Sequence, residues 1–543
     1  MSDIKERISK ICPDASFEEG QTLLVSVPEP KWHALAKELR DNPDLRFDVL
    51  TAVVGMDWKE TLGVVYYLTS TSHQWQVIAV RVEVSDRENP MIHSVSDLWK
   101  VALFQEREVY DFYGIKFINH PDMRRFFLRN DWVGFPLRKD YDANPELNPI
   151  RMTDEINEDD TVSYQEDEKG KVKAVPGKVF GEDDYVVNIG PQHPSTHGVM
   201  RFRAAVDGET VKKVDVVSGY IHRGIEKLTE SMTYPQILHF TDRMDYMSAH
   251  QNRHCLCMCI EKALGLEVPR RAQVIRVMMD ELMRISSHLL SFGCTAMDLG
   301  ATTAFFYGFR EREMVLDIFE KTCGARMSMN YNVIGGVIAD LHPDFCKDVK
   351  AFIEIMPERL KEYHKVFTGN IIAQNRLKNV GMLSKDQAIN YAITGPSGRG
   401  SNWSCDCRKK HPYAIYDELD FEEVLETGCD SFARYMVRMR EIEQSCRILA
   451  QLVDNIPEGP IRAQVPKIIK LPAGRWYQQV EASRGTFGVY IESDGQKNPY
   501  RVHFQSPCFN LVGVMDLTCA GYMIADLITI GAALDFVIPD IDR

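Results

Sequence analysis

The 543-residue sequence contains no run of about 18 or more uncharged apolar residues, so no segment is predicted to cross a membrane as a helix. Its most apolar stretch, residues 522–537, is interrupted by Asp526 and Asp535 and is therefore predicted to be buried protein. The first 13 residues carry both charge signs and lack the apolar core of a secretory signal. We expect a soluble, cytoplasmic protein that contacts a membrane only through partners.

The sequence also lacks an excess of positive charge and cysteines with paired spacing. The net charge of −14 argues against nucleic acid or an anionic membrane surface as a direct partner. No two cysteines have the C-x-x-C spacing, and the 13 cysteines show no disulfide framework, so reduced thiols are predicted. Cys255, Cys257 and Cys259 alternate on a predicted helix, where the middle side chain points away from the other two. Packing is therefore favoured over a metal site, and no metal is expected on this chain.

Residues 1–141 are predicted to form a small α+β domain. Helical periodicity over residues 32–39 and 96–113 flanks two strand-like runs, residues 64–69 and 75–82, which indicate a hairpin. Residues 106–141 then form a charged strip rich in arginine and aromatic residues. Such residues dominate interface hot spots, so the strip suits docking better than chemistry, although an ordinary cluster of surface loops is the alternative.

Residues 142–183 are polar, acidic and poor in apolar residues, so they are predicted to be an extended linker.

Residues 184–543 are predicted to form a second, mostly α-helical domain. A hairpin is indicated over residues 202–217, and apolar residues then recur at helical spacing in several long segments. These predicted helices cover residues 234–264, 270–292, 305–323, 345–367 and 421–456.

Two short stretches carry candidate chemistry. His193 and His197 lie in a segment broken by glycine and proline, which predicts a loop held by turns. Tyr246 follows about fifty residues later, in the stretch Thr241–Met247. Imidazole and phenol groups donate hydrogen bonds and can pass protons. The residues alone leave open a purely structural role for each of them.

Both units resemble parts of one enzyme family. The strip over residues 106–141 closely resembles the signature of the C subunit (30 kDa type) of proton-pumping NADH:quinone oxidoreductase, respiratory complex I. Residues 184–543 resemble the D subunit (49 kDa type) of the same complex over its full length. The matching stretches of the second unit include Gly190–Gly198, Gly219–Lys227, Met297–Gly300, Phe309–Glu313, Gly335–Val337, Glu481–Gly485, Ser493–Gly495 and Asp540–Arg543. The chain therefore resembles a fusion of the two subunits.

The resemblance also implies a fold and a site. The D family is related to the large subunit of nickel–iron hydrogenases, which hold metal with two C-x-x-C motifs. The corresponding segments, residues 223–228 and 539–543, contain no cysteine, so the pocket is expected to take a quinone headgroup instead. The resemblance implies that His197 and Tyr246 each donate to one quinone carbonyl, that Asp298 orients His197, and that His193 shapes the loop.

Cofactors and partners follow from the same resemblance. The electron donor is expected to be the terminal [4Fe–4S] cluster of the neighbouring B subunit, with Arg223 and Arg243 close to it. Further expected partners are the I subunit and the membrane subunits of the H and A types. The complex is expected on the cytoplasmic face of the bacterial cell membrane, where it would reduce menaquinone or ubiquinone and translocate protons.

Two other interpretations remain open. The chain could be a subunit of an energy-converting hydrogenase, against which the missing thiolates argue, or a scaffold whose pocket has lost activity.

The sequence also departs from the D family at three positions: Ser328 and Tyr522 stand where histidine is common, and Val333 stands where arginine is common.

Overall fold

The computed structural model describes residues 2–141, 158–192 and 198–543. The predicted site residues His193 and His197 lie outside these ranges.

The first unit is built around a five-stranded sheet with the strand order β1-β2-β5-β4-β3. Strands β2 and β5 are parallel, and the other neighbours are antiparallel. The predicted hairpin is confirmed as β4 and β5. The elements are α1 (Ser2–Ile11), β1 (Ser16–Glu18), β2 (Leu23–Pro28), α2 (Glu29–Asp41), β3 (Val49–Asp57), β4 (Leu62–Ser70), β5 (Gln76–Val84), β6 (Met91–His93), α3 (Ala102–Tyr113) and β7 (Lys116–Ile118).

Helix α3 begins six residues later than the periodicity predicts. The carboxylate of Glu106 accepts hydrogen bonds from the hydroxyl of Ser94 and from the backbone N–H of Val95. These bonds hold the chain before α3 in turns. Burial raises the pKa of Glu106 to about 8.

The prediction of an extended linker is wrong for the part of it that the structure describes. Strands β8 (Asp160–Glu166) and β9 (Val172–Lys178) form an antiparallel hairpin. Strand β8 pairs in parallel with β7, which gives a second sheet with the order β6-β7-β8-β9. Val162 and Tyr164 pack against the core of the first unit. Backbone pairing and these two apolar side chains thus join the acidic segment to the first unit.

The second unit opens with a three-stranded antiparallel sheet and continues with long helices. Its first elements are β10 (Tyr185–Ile189), β11 (Arg201–Asp207), β12 (Thr210–Val217), α4 (Ile225–Thr229), α5 (Tyr234–Met244), α6 (Ala249–Leu264), α7 (Arg270–Asp298), α8 (Thr302–Cys323), β13 (Asn332–Val333) and β14 (Gly336–Val337). The predicted hairpin over residues 202–217 is confirmed. The single helix predicted over residues 234–264 is wrong, because α5 and α6 are separated by a turn at residues 245–248.

The rest of the second unit adds helices around a sheet that the helical patterns did not predict. Its elements are α9 (Phe345–Tyr363), a π-helical turn (His364–Thr368), α10 (Ile371–Leu377), α11 (Lys385–Asn390), α12 (Gly395–Arg399), α13 (Cys407–Lys410), a short 3₁₀ turn (Tyr416–Glu418), α14 (Ser431–Leu452), β15 (Gly474–Ala482), β16 (Gly485–Ser493), β17 (Arg501–Gln505), α15 (Pro507–Gly513), α16 (Met515–Cys519), α17 (Ile524–Leu534) and α18 (Ile538–Asp542). An α+β first unit followed by a helix-rich second unit is therefore confirmed.

The two units share one hydrophobic core. The rings of Tyr67 and Tyr477 stack with their centroids 4.4 Å apart, and Phe127 stacks on Phe509 at 5.7 Å. The Tyr500 hydroxyl donates a hydrogen bond of 2.6 Å to the carbonyl of Asp57. The first unit is thus packed firmly against the second.

Within the described ranges, no helix combines the length and apolar content that a membrane crossing requires.

Candidate functional site

Tyr246 lies in the turn that separates α5 from α6. Asp245 has an extended backbone, with φ −97° and ψ 94°, which ends α5. The Asp245 carboxylate accepts the N–H of Met247 at 3.0 Å, and its carbonyl accepts the N–H of Ser248 at 3.0 Å. Because the two residues that follow Tyr246 are hydrogen-bonded to Asp245, which precedes it, the position of the phenol is defined by this turn.

The phenol of Tyr246 is half-buried and keeps its proton at neutral pH. Burial raises its pKa most, Arg484 opposes that rise, and the nearby Asp245, Cys294 and Asp535 add to it. A protonated phenol in a partly apolar setting is a hydrogen-bond donor and a proton source.

Asp298 is the last residue of α7, and Cys294 lies one helical turn earlier on the same helix. Burial raises the pKa of the Cys294 thiol to about 12, and the negative charges of Asp535 and Asp298 add to the rise. A geometric link between the two elements is made by Arg484, which binds Asp245 at 3.0 Å and Ser287 of α7 at 3.2 Å and so joins the turn of Tyr246 to the helix that ends at Asp298.

Next to the segment of the two predicted histidines, the structure describes Gly198. Gly198, immediately after His197, has φ 149°, and a Cβ atom there would lie 2.3 Å from Cγ1 of Ile538. Only glycine fits such an approach without a shift. Ile538 begins α18, which packs against α5. The end of the loop is therefore anchored on a helix that contacts the one leading to Tyr246.

The predicted arginines are both exposed. Arg223 directly precedes Gly224, the residue that starts α4, and Arg243 lies in the last turn of α5. Arg243 donates a hydrogen bond of 2.9 Å to the carbonyl of His239. Both guanidinium groups are thus accessible to another chain.

The three departures from the family pattern have different surroundings. Ser328 is half-buried in a segment with positive φ, and Asn330, two residues on, is hydrogen-bonded to Nδ1 of the exposed His239 at 2.8 Å. Val333 lies in β13, where its carbonyl accepts from Arg276. The Tyr522 hydroxyl donates to the carbonyl of Asn379 at 3.1 Å. Tyr522 therefore joins two backbone segments.

One group of side chains among the described residues has the arrangement of a metal site. Ligand atoms of Glu108, Glu226 and His503 lie within 4.8 Å of one another. Arg501 pairs with Glu226 at 2.6 Å and Arg543 with Glu108 at 2.6 Å. Two guanidinium groups therefore supply the positive charge that a metal would bring. Sequence reasoning missed this group, because its members are hundreds of residues apart.

The same group shows that the segments 223–228 and 539–543 meet. The carboxylate of Asp542 accepts the N–H groups of Gly219 and Ile221, at 2.9 and 3.0 Å, and Arg543 lies 3.7 Å from Glu226. An ion pair thus joins the two segments, hydrogen bonds join Asp542 to residues just before the first segment, and neither segment contains a cysteine.

A large cavity lies elsewhere. It encloses about 850 Å³ between the first unit, α6 and β15, and His254 and Tyr413 are part of its wall. Nδ1 of His254 is 2.6 Å from a carboxylate oxygen of Asp280, and both side chains are buried. This histidine, which has i, i+4 spacing with His250, is thus paired with a carboxylate inside the protein.

Comparison with known proteins covers nearly the whole chain. Residues 25–146 match the family model described as respiratory-chain NADH dehydrogenase, 30 Kd subunit, and residues 298–543 match that of the 49 Kd subunit. The C/D subunit of the NADH-quinone oxidoreductase of Phocaeicola vulgatus is 56% identical over 520 residues, 96% of this chain and 99% of the relative. That of Bacteroides thetaiotaomicron is 56% identical over 93% of this chain and 97% of the relative. The separate D-type subunit of the Desulforamulus reducens enzyme is 46% identical over 66% of this chain and 98% of the relative.

Proposed function

Because the chain belongs to the family of fused C and D subunits of NADH-quinone oxidoreductase, a complex I-like oxidoreductase, we propose that it forms the quinone-headgroup site of that complex together with the B subunit. The observation that carries the proposal is the link that Arg484 makes between Asp245, which precedes Tyr246, and Ser287 on the helix that ends at Asp298. A protonated phenol on a turn held by buried charge suits a substrate that gains electrons and protons.

Quinone reduction adds two electrons and two protons. Negative charge that develops on a carbonyl oxygen is costly in an apolar cavity unless donors are already in place. Tyr246 would donate to one carbonyl oxygen and His197 to the other. Asp298 would hold the imidazole of His197 in one orientation, and a carboxylate beside an imidazole also favours its protonated form. His193 would shape the loop.

The electrons would come from the terminal [4Fe–4S] cluster of the B subunit. The ligands of that cluster would belong to the B subunit. Exposed guanidinium groups beside a cluster raise its potential, and Arg223 and Arg243 fit that role.

The remaining parts of the proposal concern the assembly. The protein would be peripheral, on the cytoplasmic face of the cell membrane, and would contact the I subunit and the membrane subunits of the H and A types. Quinone reduction would be coupled to proton translocation. The substrate would be menaquinone or ubiquinone.

A photoreactive quinone tests the site directly in the purified complex. We expect the label on peptides from the α5–α6 turn or the end of α7, and an excess of unmodified quinone should prevent labelling. Labelling confined to the wall of the 850 Å³ cavity would contradict the proposal.

A further inference from the structure

One buried guanidinium joins four separate elements beside Tyr246. Arg484 lies in the two-residue turn between β15 and β16, and its side chain enters the core. Nη1 of Arg484 donates to both carboxylate oxygens of Asp245, at 3.1 and 3.0 Å, and to the hydroxyl of Ser287 at 3.2 Å. Nη2 lies 3.4 Å from Oδ1 of Asp535, the residue that ends α17.

Two of these elements carry residues of the proposed site, the donor Tyr246 and the orienting residue Asp298. Asp245 directly precedes Tyr246, and the same carboxylate that binds Arg484 accepts the N–H of Met247. Ser287 lies on α7, three helical turns before Asp298, which is about 16 Å along the helix. The guanidinium therefore sets the α5–α6 turn against the helix that carries Asp298.

We propose that Arg484 is a positioning residue for quinone reduction, which acts by holding, through Asp245, the turn that presents the Tyr246 hydroxyl to the substrate. This inference rests on the proposed function, since it requires Tyr246 to be a donor to the quinone. Arg484 itself has no need to touch the quinone. Fixed geometry matters here because a misplacement of about 1 Å can cost about 10²-fold in rate.

The charge of Arg484 also has a role in the proton step. When Tyr246 donates, its O–H bond breaks, a new O–H bond forms on a quinone oxygen, and the phenolate regains a proton from solvent. The two electrons are those that the complex delivers to quinone. Burial, Asp245 and Asp535 all raise the pKa of Tyr246, and Arg484 opposes them. A cation at this position thus keeps the phenol a usable acid.

Arg438 provides a matched control. It is equally buried and lies 3.5 Å from the other carboxylate oxygen of Asp535, but its remaining bonds go to carbonyl groups, including those of Ala533 and Leu534. Arg438 therefore belongs to the same charge cluster without a bond to Asp245.

The experiment compares Arg484→Lys, Arg484→Gln and Arg438→Gln in the assembled complex. Lysine keeps the charge next to Asp245, so we expect its kcat within about threefold of the parent value. Arg484→Gln should lower kcat by about 10- to 100-fold, with a much smaller change in KM. Arg438→Gln should lower kcat less than Arg484→Gln does. The rate of NADH oxidation with a soluble electron acceptor, which bypasses the quinone site, should be the same in all three variants.

A double substitution separates this inference from the proposed function. In a Tyr246→Phe background, Arg484→Gln should lower kcat no further, because the residue acts through the phenol. Multiplicative losses, or equal losses from Arg484→Gln and Arg438→Gln, would overturn the positioning role. Normal activity of Tyr246→Phe alone would instead overturn the proposed function. If Arg484→Gln fails to assemble, Asp245→Asn with Arg484→Gln removes both charges of the pair, and its kcat should show the same loss.

Discussion

Arg124 of the first unit and Asp215 of the second form an ion pair across the boundary between the units, with Nη2 and Oδ1 2.8 Å apart. The same guanidinium binds Asp122 at 2.8 Å, and Arg124 is largely buried. Burial alone would raise the pKa of Asp122, but Arg107 and Arg124 lower it well below its usual range. The arginine strip predicted to serve docking therefore docks, at this position, onto the second half of its own chain.

The first prediction concerns this pair. Arg124→Glu would place a third carboxylate beside Asp122 and Asp215, so we expect a loss of about 3–5 kcal/mol in stability. The amount of assembled complex should fall, whereas activity per assembled complex should hold. Thermal unfolding and native electrophoresis measure the two effects.

Arg129→Glu is the control for that prediction, because Arg129 is half exposed and contacts Asp131 within its own loop. Its effect on stability should stay within about 0.5 kcal/mol. Intact assembly of the Arg124→Glu complex together with a collapse of turnover would show that the strip takes part in catalysis instead.

The second prediction concerns pH and the β8–β9 hairpin. Nδ1 of His93 is 2.6 Å from Glu29, and Nε2 is 3.0 Å from Glu166 at the end of β8. The hydrogen bond to Glu29 raises the pKa of His93 most, burial opposes the rise, and Glu166 adds to it, to a value of about 9. Because the pKa of His93 is raised in the folded protein, its charged form stabilises the fold. That stabilisation is complete below about pH 6.5, the unperturbed pKa, and is lost as pH rises through about 9.

Hydrogen exchange over residues 160–178, corrected for its intrinsic pH dependence, should therefore report a less protected hairpin at pH 9.5 than at pH 6. In His93→Gln, protection should be lower at pH 6 and nearly independent of pH. A parent protein with constant protection across this range would show that the His93 contacts do not hold the hairpin.

The position of Tyr246 shows what the sequence could predict and what it could not. The residue and the helical pattern around it were visible, and so were the hairpins β4–β5 and β11–β12, because both depend on local periodicity. The break after Met244 was not visible, since its geometry depends on Arg484, which lies 239 positions after Asp245. A contact across that separation leaves no local pattern.

Buried charge was missed for a related reason. Arg408 binds Asp406 at 2.7 Å and Glu281 at 3.1 Å, and Arg399 bridges Glu441 and Glu481 at 2.6 Å each, all inside the protein. Charged residues in a sequence are ordinarily assigned to the surface. Only the tertiary fold shows that these carboxylates and guanidinium groups neutralise one another, and the same holds for Glu226 and Arg543.

The third prediction tests Tyr246 as a donor. Tyr246→Phe removes one hydroxyl and keeps the ring, so quinone reductase activity should fall by about 10²-fold, the usual effect of losing one preorganised donor. Cluster content and assembly should be unchanged. Near-normal turnover in assembled Tyr246→Phe complex would remove Tyr246 from the site.

The fourth prediction concerns Ser328 and the partner's terminal cluster. An imidazole beside an iron–sulfur cluster binds a proton more tightly once the cluster gains an electron, which makes the potential fall as pH rises. A serine hydroxyl does not titrate in this range. We therefore expect a nearly constant cluster potential from about pH 6 to 8, around the unperturbed histidine pKa. Ser328→His should raise the potential at acid pH and introduce a slope.

The structure also identifies the histidine to test if a slope exists in the unmodified complex. His239 is exposed, is hydrogen-bonded to Asn330 and lies one helical turn before Arg243, so it is an imidazole beside the Ser328 segment. An EPR-monitored redox titration at several pH values measures the slope. A slope in the parent that disappears in His239→Gln would contradict the prediction for Ser328 and assign the coupled proton to His239. A flat titration in both, at a potential below that of Ser328→His at acid pH, would agree with the prediction and would suit a low-potential substrate such as menaquinone.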